Sequence, residues 1–424
     1  MPNVTVAGAG GATVTLSFDS AANALLAKSL AGAITAGVAA GTIIPASSKA
    51  GLPPTVPGGK TGEWVQQTNG ATFLPGDYGA IVSTARKATI FGTGEDNASV
   101  LGSSGGLTFY SGGGSGTVVA GGGDNRIFVP AGGTGAWSIN TGGGDDSIQA
   151  LGGGNDTVHA GAGRNVIQLG TGNDLVVSQG RDRIVLGAGS ATIVATGGGG
   201  GGDCDDDDDD DSHGSASQQQ VWGGSGSLFF VGGAGPATVF GGTGSATIQG
   251  GDGRNEFHGG SAGNNIIYAG SNRATVFGGG AGDQLFAEGE KKQELHAGSG
   301  ASTLFGALAG GNNSFFAGTG NTMITGGFGN DQFVGGMGDS TINGGPGRDI
   351  YKFIDGISGG ADLIYGFDGN DRIVLDGYGK HAVQNVLAGQ VHVAGGVQIT
   401  LSDSTSVTFM GLSQLTKSNF GSDS

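Results

Sequence analysis

The chain of 424 residues contains a single cysteine, nine prolines and only 18 lysines and arginines. One cysteine, Cys204, excludes a disulfide framework and a zinc site built from thiolates. Against 35 aspartates and glutamates the few basic residues leave a net charge of −17. Nucleic acid and anionic lipid are therefore poor partners, and cations are good ones. Charged residues make up 12% and hydrophobic residues 36%, both too few for a large conventional core. The one long apolar stretch, residues 21–40, carries Lys28 and many small side chains, so it reads as a capped helix and not as a membrane span. The start, MPNVTVAGAGG, lacks the positive end and apolar centre of a cleaved secretion leader. No HExxH is present and the six histidines show no ligand spacing. The pattern Gly-x-Ser-x-Gly at 102–106, 259–263 and 356–360 follows from glycine abundance alone, since none follows a long strand or opens a helix. An enzyme is not expected.

What the chain has in excess is glycine, 97 residues of it, and the glycines are periodic. From about Ile90 the sequence repeats every nine residues, most clearly in GGFGNDQFV (326–334), GGMGDSTIN (335–343) and GGPGRDIYK (344–352). Each unit is a Gly-rich turn followed by three strand-like residues whose middle member is apolar, as at Val239, Ile248, Phe257, Ile267, Val276, Phe286, Leu295, Leu304, Phe315, Ile324, Phe333, Ile342 and Tyr351. Side chains alternate across a strand, so the middle one points inward. Two rows make one coil, and the expected fold is all-β: a parallel β-roll, or β-solenoid, with about 12 coils. A chain that reverses within six residues, stacked on the turn before it, needs glycine for positive φ and for close backbone approach.

The sixth place of the repeat is acidic at Asp96, Asp146, Asp156, Asp174, Asp182, Asp331 and Asp349. With glycine at the first, second and fourth places, this pattern resembles the hemolysin-type calcium-binding repeats of the RTX family, over roughly residues 91–375. The resemblance implies a parallel β-roll with Ca²⁺ held between turns two rows apart by sixth-place carboxylates and turn carbonyls. Ca²⁺ wants six to eight oxygens, which stacked turns present in rows. Carried onto this chain, Asp156 with Asp174 and Asp331 with Asp349 meet that requirement in full. Asn165, between Asp146 and Asp182, would share weaker sites. The segment 351–377 resembles the closing element of such rolls, with Asp362, Asp368 and Asp371 alternating with Ile364, Phe367, Ile373 and Leu375. Through most of the second block the slot is neutral (Leu228, Ala237, Ala246, Asn255, Asn265, Ala274, Ser302, Asn313, Thr322, Ser340), so those coils are expected to fold with less dependence on calcium.

Five segments follow: an N-terminal domain at 1–88 with an amphipathic helix presenting Leu26, Leu30, Ile34 and Val38; β-roll blocks at 89–196 and 221–352; a disordered Gly/Asp-rich insertion at 197–220; and a cap with a secretion tail at 353–424. The insertion carries eight aspartates, nearly half of the net charge. Beyond the repeats, strands are expected at 390–401 and 406–409. Files of outward aromatics and histidines, among them Phe240, His258, Phe277, His296 and Phe316, are expected to join neighbours. The family resemblance implies export by the type I route without a cleaved leader. The expected protein is a secreted, extracellular or cell-surface calcium-binding structural subunit of a surface layer, matrix or fibre, forming a homo-oligomer or polymer. The alternatives are an adhesin or ligand-binding module, with a cell-surface glycan as a possible partner, and an enzyme with an RTX tail.

Overall fold

Each repeat supplies one strand of three to five residues, and strands two rows apart pair in parallel and in register. Ile139 lies between Val118 and Val158, and Ile148 between Ile127 and Ile167. Ile248 likewise lies between Phe230 and Ile267, and Val276 between Phe257 and Leu295. The computed structural model describes residues 1–92, 97–197, 218–306 and 310–421. It forms two units, Met1–Gly226 and Ser227–Ser424, each a β-solenoid of two parallel sheets. The expected Asp96 and nearly all of the 197–220 insertion lie outside the described residues.

The core is a single file of inward side chains per sheet, all but sealed from solvent. Aromatic pairs meet across the two sheets at Phe109–Trp137 and Phe230–Phe257, with centroids 5.8 and 6.2 Å apart. One member of the expected core is displaced: Leu285 is buried and Phe286 stands outside, because the inward residue follows two places after buried Asp283.

In the first unit the hairpin of β1 (Asn3–Ala7) and β2 (Thr13–Ser17) precedes α1 (Ala21–Ala40). The ladder then begins at β3 (Ile43–Ser47) and runs through β4 (Thr61–Gln66), β5 (Gly70–Phe73), β6 (Tyr78–Ser83) and β7 (Ala88–Phe91). β3 pairs β4, β4 pairs β6, and β5 pairs β7, all in parallel. The boundary expected at residue 88 therefore falls inside the solenoid; these early coils lack the nonapeptide glycines but keep its inward apolar file, Trp64, Ile81 and Val100.

Helix α1 starts at Ser20, whose hydroxyl accepts the Asn23 N–H, and ends at Gly41, which has φ 71°. Asp19 does not cap it; its carboxylate takes the Gly143 N–H of a coil turn. The face it buries is Ala24, Ala27, Ala31 and Ile34, with Leu26, Leu30 and Val38 at its flanks. This departs from the expected Leu/Ile/Val stripe, because small side chains let the helix lie close over Val65, Ala80, Val82, Leu101 and Val119 on the outer face of the sheet. By length and hydropathy α1 could cross a membrane.

In the second unit the ladders extend past the last clear repeat, through Ala361–Tyr365 and Ile350–Ile354 to Arg372–Asp376. A short helix, α2 (Ala382–Gly389), stands where no element was expected. The strand expected at 390–401 is a hairpin, Val391–Val393 with Gly396–Thr400, turning at Gly395 with φ 83°. Ser406–Met410 pairs antiparallel with that hairpin and parallel with Ala361–Tyr365. The outward aromatic file is a column of stacked rings: Phe240, His258, Phe277, His296 and Phe316 follow at 4.6, 4.6, 4.6 and 4.1 Å.

Candidate metal centre

The sixth-place residue stands two positions before each inward apolar residue, so its side chain also points inward, under the turn. Asp146, Asp156, Asn165, Asp174, Asp182, Asp331, Asp349, Asp362 and Asp371 are all buried. They form ladders in which each Oδ1 accepts the backbone N–H of the slot one coil earlier. Asp156 N–H donates to Asp174 Oδ1 at 2.9 Å, and Asp331 N–H to Asp349 Oδ1 at 2.9 Å, each across 18 residues. On the opposite edge of the first unit Asn125, Asp146, Asn165 and Asp182 are linked in the same way. The second-unit ladder continues from Asp349 to Asp371, and Ser340 donates to Asp362, both across 22 residues. Asp368 is exposed and outside the ladder, where its N–H donates to Asp371 Oδ2.

The second oxygen sorts these carboxylates. In Asp182 it accepts the Ser178 hydroxyl, and in Asp371 the Asp368 N–H. In Asp146 and Asp362 the second oxygen is buried with no hydrogen-bond partner among the described residues. In Asp331 and Asp349 it is likewise buried with no partner among the described residues, and in Asp156 and Asp174 it accepts no hydrogen bond from a described residue. A buried carboxylate oxygen left unpaired is costly unless protonated or bound by a cation.

Burial accordingly dominates the acidities. It pushes Asp331 and Asp362 up to about 7 and Asp146, Asp156 and Asp349 to about 6, against the lowering effect of backbone donors. The next carboxylate in the ladder adds to the rise, Asp174 on Asp156 and Asp349 on Asp331. Asp174, Asp182 and Asp371 are raised by burial as well.

Glycine packs backbone oxygens against these carboxylates. A Cβ on Gly172 would lie 1.8 Å from the Gly154 carbonyl oxygen and 3.0 Å from Asp174 Oδ1. One on Gly347 would lie 1.8 Å from the Gly329 oxygen and 2.9 Å from Asp349 Oδ1. The donor set is thus all oxygen, carboxylate and carbonyl, which suits a hard divalent cation. Among the described residues no three His, Cys, Asp or Glu side chains converge, so backbone must supply most of the ligands.

Several slot residues escaped the sequence reading. Asp283 is buried, but both of its oxygens are taken by Asn265 and the Gly279 N–H. Its turn has Ala281 where the pattern has its fourth-place glycine, yet its place two residues before Leu285 marks it. Asn125 and Gln293 occupy slots of the same kind. A parallel, exposed ladder runs through the fifth places, where Asp124 and Asp145 accept the N–H groups of Asp145 and Arg164. Glu63, wholly buried in the first unit with no hydrogen-bond partner among the described residues, is pushed up to about 7 by burial.

A family model for the RTX calcium-binding nonapeptide repeat (4 copies) matches residues 151–180, 231–262, 260–285, 309–342, 316–351 and 358–377. Repeats of this kind bind Ca²⁺, are typical of secreted proteins, and are structural or binding elements more often than catalytic ones. No curated protein matches the chain.

Proposed function

The chain carries RTX calcium-binding nonapeptide repeats, and from that premise we propose that it is a calcium-stabilised, extracellular structural protein whose subunits self-associate into a surface layer, matrix or fibre. Calcium would sit at Asp331/Asp349 and Asp156/Asp174, drawing its other ligands from the stacked turn carbonyls. The observation that carries this is the unpaired buried Oδ2 of Asp331 and of Asp349, neighbours in one ladder. Asn165, Asp182 and Asp371 are better satisfied within the protein and contribute less; Asp146 and Asp362 also hold a buried unpaired Oδ2, but their ladder neighbours are Asn125, Asn165 and Ser340 and not a second carboxylate, while Asp368 lies outside. Export by the type I route fits the repeats.

The test is calorimetric titration with calcium. Asp331→Asn with Asp349→Asn should remove a site, whereas Asp283→Asn should leave the stoichiometry unchanged. Loss of a site in the Asp283→Asn variant, or none in the double variant, would reject the assignment. Light scattering in millimolar calcium and after chelation tests the assembly: a monomer under both conditions ends that reading.

A second reading, a ligand-binding module, is favoured by a cleft in the first unit beside Leu30 of α1. Its floor is the outward file Ser99, Thr117, Ser138 and Thr157. A neutral glycan would suit such hydroxyls, and glycan-array binding by the monomer would favour this reading.

A further inference from the structure

A β-solenoid leaves two sheet edges at each end, and an uncovered edge presents unpaired N–H and C=O groups. At the C-terminal end of the second unit both are covered. Ser406–Met410 pairs onto Ala361–Tyr365, and Phe420 bridges Ile373 of Arg372–Asp376. At the N-terminal end of the first unit β3 packs under α1 and the short 3₁₀ turn Ala9–Gly11. The exception is β5. Among the described residues it ends its sheet and pairs with β7 alone, and Gly70, Ala71 and Phe73 are exposed, Phe73 at 72%.

The Gly70 and Leu74 N–H groups donate to β7, at Lys87 O and Phe91 O. By strand alternation Ala71 and Phe73 aim their backbone groups away from it. The strand Gly-Ala-Thr-Phe has neither the charge, the proline nor the bulge that usually blunts an edge. Phe73 also ends a column of rings, stacked at 4.3 Å on Phe91, which stacks at 4.8 Å on Tyr110.

We propose that β5 is a self-association edge, pairing antiparallel with β5 of a second copy about a two-fold axis. Charge opposes this occupant less here than along the acidic coils. Residues 1–92 hold five basic residues (Lys28, Lys49, Lys60, Arg86, Lys87) and three acidic ones (Asp19, Glu63, Asp77), a net +2 in a chain of −17. Two copies meeting here bring together a segment with no excess of negative charge, whereas contact through residues 93–196 (eight acidic, four basic) or 331–376 (eight acidic, three basic) opposes acidic surfaces. Head-to-tail stacking is blocked because the receiving C-terminal edges are covered. The proposal rests on the assembly reading above and names its interface.

Sedimentation of the full chain in millimolar calcium tests it, with Ala71→Pro and Ala71→Lys as variants. Both leave the β5–β7 hydrogen bonds in place; the first removes an outward donor and the second adds charge to the edge. The wild type is expected to dimerise, at least, and each variant to weaken that step by tenfold or more while keeping the wild-type circular dichroism and calcium titration. Should proline unfold the first coil, the lysine variant decides. Association that both folded variants retain would overturn the edge and leave the assembly reading standing. A wild type monomeric in calcium would overturn both.

Discussion

Asp331 and Asp349 differ from an ordinary turn aspartate in one atom each, a buried Oδ2 with no hydrogen-bond partner among the described residues; Asp146 and Asp362 share it, but Asp331 and Asp349 are neighbours in one ladder. Without a cation such a group is relieved by protonation, and its raised pKa expresses that. In the folded state Asp331 titrates at about 7 and Asp349 at about 6, whereas the unfolded chain titrates near 3.8. Between those values the native state binds more protons than the unfolded one, so stability is full below pH ~4 and falls as pH rises to ~7. Chelated protein should therefore melt higher at pH 5 than at pH 7.5, and millimolar calcium should reverse the order; thermal melts at the two pH values check it. Asp331→Asn keeps the shape, removes the buried charge, and should raise the melting temperature of chelated protein at pH 7.5 by roughly 2–4 °C per kcal/mol relieved. In calcium the same substitution should lower it. The register that makes these residues inward was legible in the nonapeptide spacing, since Asp and the apolar residue two places on share a face. Which oxygen stays unsatisfied was not, because that depends on whether a donor such as Ser178 or the Gly279 N–H stands nearby.

An element here is one coil, and what fixes a coil is the approach of its turn to the turn before. Gly172 and Gly347 each stand where a methyl group would sit 1.8 Å from a carbonyl oxygen of the preceding coil. Gly172→Ala or Gly347→Ala cannot be absorbed by a rotamer, since the obstacle is backbone. Either should cost about 3 kcal/mol or more, the range of severe overpacking. Gly32→Ala on α1 is the control: a Cβ there meets nothing within 4 Å, and a helix interior gains up to ~1 kcal/mol from the change. Denaturant melts of the three variants test the contrast. The aromatic column adds to the same stacking. Phe277 lies between His258 and His296, each at 4.6 Å, so Phe277→Ala loses two ring contacts and should cost about 1–3 kcal/mol. The rings satisfy one another along the ladder, so the column does not itself demand a partner. The sequence showed the file but not the mutual stacking, which depends on the register of neighbouring coils. The early coils from β3 to β7 were missed for the opposite reason: their inward file is regular, but their turns lack the glycine signature.

At the scale of the whole chain, two chemistries close the same turns. Where the slot is an amide, its NH₂ group donates to the turn carbonyls that a cation would otherwise gather. Asn125 donates to Gly121 O and Gly123 O, Asn265 to Gly260 O, and Asn313 to Gly311 O. Gln293 reaches Gly270, Asn272 and Glu288 O. The neutral slots of the second block are thus partly occupied by donors built into the chain. Asp283, the buried acid in this stretch, is satisfied by Asn265 and Gly279. Calcium should then matter regionally. After chelation at pH 7.5, amides of the coils from Asp331 to Arg372 should lose hydrogen-exchange protection by tenfold or more, together with those around Asp156 and Asp174. Strands from Leu228–Val231 to Gln293–His296 should change far less, because their turns are closed by amide donors or hold no buried acid needing a cation. Uniform loss of protection along the chain would show that calcium acts on the fold as a whole, and that the amide slots do not substitute for it.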